Sequence, residues 1–169
     1  MAAGTTYERI ATTTLSSNTS SVSFTSISGS YTDLVLVFSY KSNTTNYPTL
    51  KFTFNGSSTG YSGTQLSGNG SSAASYRNTN ATGISIARAV GTPSTVGGTA
   101  TIIVNLMDYS NTTTYKTILA RASAAETGAE ADVGLWQSTS AINQIDITTA
   151  TTNDFASGSV ITLYGIASA

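Results

Sequence analysis

Apolar and polar residues alternate along this chain with a period of two, in short runs separated by Gly, Asn and Ser clusters. That is the signature of β-strands with one buried face. Tyr7 to Thr12 is the first such run. Val22 and Phe24 alternate with Ser21, Ser23 and Thr25. In Asp33 to Tyr40, Leu34, Leu36 and Phe38 point one way and Val35 and Val37 the other. Apolar residues on both faces predict a central strand covered on each side, with a neighbouring subunit as one possible cover. Leu50 to Phe54 alternates cleanly and ends in the turn dipeptide Asn55-Gly56. Pro48 precedes it, where a strand can begin without an amide donor.

Further along, the pattern predicts a short strand at Tyr61 to Leu66 and then a long polar loop through Asn69-Gly70 to Ala81. A long loop in a compact domain often carries contacts. Ile84, Ile86 and Val90 mark another short strand, and Gly91 to Gly98 a turn. Thr99 to Leu106 is a second strong core strand; a polar turn over Asp108 to Thr113 follows. Tyr115 to Ala122 is the next strand, with Ile118 or Leu119 inward. Ala124 to Ala131 has room for one helical turn, limited by Gly128. Val133 to Trp136, Ile142 to Ile147 and Val160 to Ile166 complete the set. About ten strands and no useful helix predict an all-β, antiparallel two-sheet sandwich. No composition break or fixed repeat divides the 169 residues, so one domain spans 1–169 with a short N-terminal tail, 1–6.

Composition narrows the chemistry. Cysteine and histidine are both absent. That excludes disulfides and thiolate sites, and removes the commonest general base and transition-metal ligand. A Ser-His-Asp triad cannot form. Charged residues are only 9% of the chain and the formal net charge is −1. Such a chain has no basic field for nucleic acid and no polybasic segment for membranes. Its surface is Ser, Thr, Asn and Gly, which pack against neighbours at low desolvation cost. Neither a transmembrane run nor a signal peptide is expected.

Glu126, Glu130 and Asp132 lie close together in an Ala/Gly-rich segment, which predicts a solvated turn. Catalysis by paired carboxylates needs them facing each other across a substrate. Oxygen ligands there could take Ca²⁺, but neither EF-hand spacing nor an Asp-rich nonapeptide supports it. The reading therefore has no catalytic residues, no cofactor and no metal. Tyrosine is enriched, with Tyr31, Tyr40, Tyr47, Tyr61, Tyr76, Tyr109 and Tyr115 at strand ends or in loops. Such rings can stack on sugars or anchor a protein interface. Tyr47, Tyr61, Tyr76 and Tyr109, with Asn69, are the candidate interface or glycan contacts. The plainer alternative for each is a half-buried edge residue with a wet hydroxyl.

Several segments stand out in order. They are Phe24-Thr25-Ser26-Ile27, Tyr31-Thr32-Asp33-Leu34, Phe54-Asn55-Gly56, Gly68-Asn69-Gly70-Ser71-Ser72, Gly134-Leu135-Trp136-Gln137-Ser138-Thr139-Ser140-Ala141-Ile142, Ile145-Asp146-Ile147, Asn153-Asp154-Phe155 and the final Ser159-Val160-Ile161-Thr162-Leu163-Tyr164-Gly165-Ile166. Together they resemble a family of small β-rich virion proteins and fibre domains of tailed phages, cyanophages and other marine phages included. The resemblance spans nearly the whole chain and lies in the order of the segments. It implies a jelly-roll-like domain on the particle, with no catalytic residues to carry over. The expected role is capsid decoration or cementing on the outer head. The expected partners are itself, as a homotrimer by analogy, and the major capsid protein or another virion protein. The alternative is a tail or head fibre tip that binds a host receptor or glycan. The first strand starts by Tyr7 and no stalk heptads are present, which favours decoration. The resulting expectation is a non-enzymatic virion protein made in the host cytoplasm.

Overall fold

The computed structural model describes residues 6–41, 43, 49–86, 99–149 and 154–167. Twelve strands form two antiparallel sheets. In chain order they are β1 (Tyr7–Thr14), β2 (Ser21–Phe24), β3 (Asp33–Lys41), β4 (Leu50–Phe54), β5 (Tyr61–Gly68), β6 (Ala73–Ala81), β7 (Ile84–Ile86), β8 (Thr99–Leu106), β9 (Lys116–Ala124), β10 (Gly128–Trp136), β11 (Ile145–Thr149) and β12 (Val160–Ile166). The large sheet has eight strands in the order β1-β12-β3-β8-β9-β10-β5-β6, and the small one four, β2-β11-β4-β7. The chain is an all-β sandwich. The N-terminal strands pair with the C-terminal ones, β1 and β3 with β12, and β2 and β4 with β11. The chain thus wraps back on itself in jelly-roll fashion.

The core is what the period-two pattern selects. Leu34, Leu36, Phe38 and Tyr40 of β3 face Val22, Phe24, Leu50, Phe52, Phe54, Ile145 and Ile147 of the small sheet, all buried. Phe38 and Phe52 meet edge to face across the layers, 5.9 Å between ring centres. At one end Trp136 stacks on Tyr61 at 6.0 Å and leans on Phe54 at 5.7 Å. Each such ring contributes roughly 1.5–3 kcal/mol on burial. In β9 it is Ile118 that turns inward, while Leu119 is 42% exposed.

Asn55 and Gly56 both have positive φ, 51° and 69°, as the Asn-Gly turn requires. The turn does not close a hairpin, because β5 passes to the other sheet. Instead the Asn55 side chain ties down residues 141–144. Its Nδ2 donates to the Ala141 carbonyl (2.8 Å), and its Oδ1 accepts the amides of Asn143 (3.0 Å) and Gln144 (3.1 Å).

Three expectations are corrected. The stretch after Leu66 is a β-hairpin, with β6 paired to β5 and the turn at Asn69-Gly70. Strand β6 escapes the pattern because an edge strand exposed on both faces needs no apolar phase. Residues 128–131 are strand rather than helical turn: β9 and β10 form a hairpin whose turn is confined to 125–127. The strands among the described residues therefore number twelve, against about ten expected from the pattern. The second face of β3 has no layer of this chain over it among the described residues. Val35 is nonetheless only 5% exposed, flanked in its row by Tyr164 and Asn105. Pro48, Val90, the turn at 91–98 and tail residues 1–5 lie outside the described residues.

Candidate functional site

The two outer faces of the sandwich differ in chemistry. On the small sheet, Ser21, Ser23, Lys51, Thr53, Asp146 and Thr148 face outward. Asp146 is satisfied there by Ser23 Oγ at 2.7 Å and Gln144 Nε2 at 2.8 Å. That face is an ordinary solvated surface.

The outer face of the large sheet is different. Strand register sets out two long rows of side chains. One runs Arg9, Tyr164, Val35, Asn105, Leu119, Val133, Thr64, Arg77. The next runs Thr12, Thr162, Val37, Ile103, Arg121, Ala131, Leu66, Ser75. Within these rows Leu66, Val133 and Leu119 are 61%, 48% and 42% exposed. Opposed residues in a sheet stand about 4.5–5.5 Å apart at Cβ, so these aliphatics form one surface. The small residues Ala129 and Ala131 lower its floor, giving adjoining recesses of about 660 and 460 Å³ that share Leu66, Arg121 and Ala131.

Charge is also sorted. All three described arginines, Arg9, Arg77 and Arg121, lie on this face. Of the described carboxylates, Asp33 shares it, in the row of Ile166, where its Oδ1 accepts the Asp108 amide at 2.8 Å. An apolar trough with the Arg121 guanidinium in it suits a polypeptide surface that brings both apolar side chains and a carboxylate.

The candidate contact residues are not gathered into one place. Tyr61 is 1% exposed; its hydroxyl accepts the Phe54 amide at 2.8 Å and donates to the Ser57 carbonyl at 3.3 Å. Tyr109 is fully buried, its hydroxyl donating to the Ser28 carbonyl and accepting the Tyr31 amide. Burial pushes both phenols above 10.0. Neither ring can stack on a sugar or reach a partner, because each serves the core. Asn69 accepts the amides of Ser71 and Ser72 at 3.0 and 2.8 Å, holding the β5–β6 turn. Tyr76, on β6, keeps a 45% exposed ring. Tyr47 lies outside the described residues.

The acidic trio is corrected as well. Glu126 is exposed in the β9–β10 turn, but Glu130 and Asp132 are 4% and 3% exposed on the inner face of β10. They stand beside Ser67 and Gln65 of β5 and Ala122 and Ala120 of β9. Both make interactions within the fold. They lie two residues apart on one strand, which is not the geometry of acids facing across a cleft. The signal for this was present: Glu130 and Asp132 are in phase with Trp136, the core anchor of the same strand. Lys116 is turned inward by the same phase. Opposite Trp136, it is 1% exposed and donates to the carbonyls of Thr114 (2.8 Å) and Thr139 (3.4 Å). Burial pushes its ammonium below 10.5.

No known protein family matches the chain, and no curated protein does. A crystal structure of a protein of unknown function from Shewanella oneidensis MR-1 aligns over 96% of this chain and 77% of that one. The identity is 13% and the TM-score 0.25, a level of likeness that carries no argument about fold or function.

Proposed function

We propose that this chain is a non-enzymatic structural protein of a phage particle, seated in many copies on the outer shell as a decoration or cement protein. The observation that carries the reading is the contrast between the two faces of the sandwich. One is polar and internally hydrogen-bonded. The other sets Leu66, Leu119 and Val133 in a shallow trough with Arg121 at its centre. Contiguous exposed aliphatics mark an interaction surface. The partner is the shell protein, offering apolar side chains and carboxylates to the trough.

Purified chain, added to capsids of the phage that encodes it and pelleted with them, tests this. The wild type should co-sediment at a fixed ratio to the shell protein, and Leu119→Asp and Val133→Asp should remain in the supernatant. Wild-type protein that never pellets with capsids, or variants that bind equally well, would overturn the reading. Density at a fibre end rather than over the shell in electron cryo-microscopy would move the protein to the receptor-binding alternative.

A further inference from the structure

Of the four sheet edges among the described strands, β6 is the longest and the least protected against strand addition, with Arg77 its single charge. Exposed edges are normally blunted by brevity, charge, proline or a bulge. Strands β2 and β7, the edges of the small sheet, have four and three residues. Strand β1, one edge of the large sheet, carries Glu8 and Arg9 and is bulged between Arg9 and Ala11. Strand β6, the other edge, has nine residues, Ala-Ala-Ser-Tyr-Arg-Asn-Thr-Asn-Ala, without proline or carboxylate. Its register against β5 is regular from Ala73 to Asn78, and the irregularity comes only beyond that, at positive-φ Asn80. Among the described residues no strand pairs with its far side.

We propose that the free edge of β6 pairs antiparallel with β6 of a second copy, about a two-fold axis through Tyr76, joining two eight-stranded sheets into one. The sequence of the edge suits a second copy in this register, which avoids like-charge pairs and places an aromatic pair at the axis. With Tyr76 opposite its mate, Ser75 meets Arg77 and Ala74 meets Asn78 on each side of the axis, and no like charges oppose. Shifting the axis to Arg77 would set two guanidinium groups face to face, which is destabilising in a cross-strand pair. Alternation also agrees: Ser75 and Arg77 share the outer face with Leu66 and Thr64, and Tyr76 shares the inner face with Gln65. A two-fold axis normal to the sheet keeps each face continuous across the join, so the apolar troughs of both copies open on the same side. The half-exposed Tyr76 rings cover each other, an aromatic pair of the kind that stabilises sheets. The pairing follows from the fold alone and stands whether or not the shell-binding reading does.

Light scattering on the purified chain should give twice 17.3 kDa, falling to 17.3 kDa in Tyr76→Lys with the Trp136 fluorescence of the folded wild type retained and a dimer dissociation constant raised at least about tenfold. The absence of cysteine allows a sharper test. Opposed residues sit about 4.5–5.5 Å apart at Cα, within disulfide range, so Tyr76→Cys should cross-link to itself under mild oxidation. Asn78→Cys, displaced from its own mate by four residues or about 13 Å, should not. A wild type that stays monomeric at every concentration, a three-copy mass, or equal cross-linking of the two cysteine variants would overturn the proposal. Should Tyr76→Lys fail to fold, the cysteine pair decides alone.

Discussion

Asn55 offers the most direct check on how this sandwich is held. Its side chain makes three hydrogen bonds, of 2.8, 3.0 and 3.1 Å, to the segment that leads into β11. Its own backbone sits at φ 51°, in the left-handed region. Asn55→Gly keeps that backbone geometry at no steric cost but loses all three side-chain bonds, each worth about 1 kcal/mol net. The expected loss is about 2–3 kcal/mol. Asn55→Ala loses the same bonds and adds the roughly 1–2 kcal/mol that a Cβ costs in left-handed backbone. It should therefore be the worse of the two, at about 3–5 kcal/mol. Urea unfolding followed by the fluorescence of Trp136, the single tryptophan, reads both. That indole lies 5.7 Å from the Phe54 ring, beside the perturbed turn. The denaturant slope should not change, since the exposed area on unfolding is the same. An alanine variant within about 1 kcal/mol of wild type, or a glycine variant less stable than the alanine one, would refute the reasoning.

Gly134→Ala would bring a Cβ to 2.5 and 2.7 Å from two methyls of Ile84 and 2.9 Å from Ile118, so overpacking should cost about 1–3 kcal/mol in the same urea assay. Tyr61 and Tyr109 have folded pKa values raised above 10.0 by burial. Their contribution is complete below 10.0 and is lost as pH rises above it, because the unfolded phenols ionise first; urea midpoints should fall across that range while phenolate absorbance lags until unfolding. Lys116 acts in the opposite sense: its folded pKa lies below 10.5, so the unfolded chain holds more protons in that window and stability rises with pH there. Lys116→Met should remove that rise and steepen the alkaline loss. Leu119→Asp and Val133→Asp, both at exposed positions, should shift stability by no more than about 0.5 kcal/mol while abolishing capsid binding.

The period of two was enough to find the core. Leu34, Leu36 and Phe38, Leu50, Phe52 and Phe54, and Ile145 and Ile147 all lie where alternation puts them, because a strand cannot turn one apolar residue inward without turning its second neighbour inward too. The same rule, applied from Trp136 backwards, places Glu130 and Asp132 inside. Sequence proximity to Glu126 suggested a turn, and local charge density was the weaker guide. Strand β6 was illegible for a different reason. A strand that borders solvent on both faces has no hydrophobic phase, and only its backbone pairing to β5 makes it a strand.

What the sequence determined by itself was the class of fold and the identity of most inward residues, since both follow from local alternation and turn chemistry. It also excluded disulfide and histidine chemistry by composition. Which strands neighbour one another was decided only in three dimensions. Residues as distant as Arg9, Leu119, Val133 and Arg77 share one row because β1, β9, β10 and β6 are ordered by packing, which no local pattern records. The apolar trough, the sorting of the described arginines onto one face and the long β6 edge are all consequences of that order.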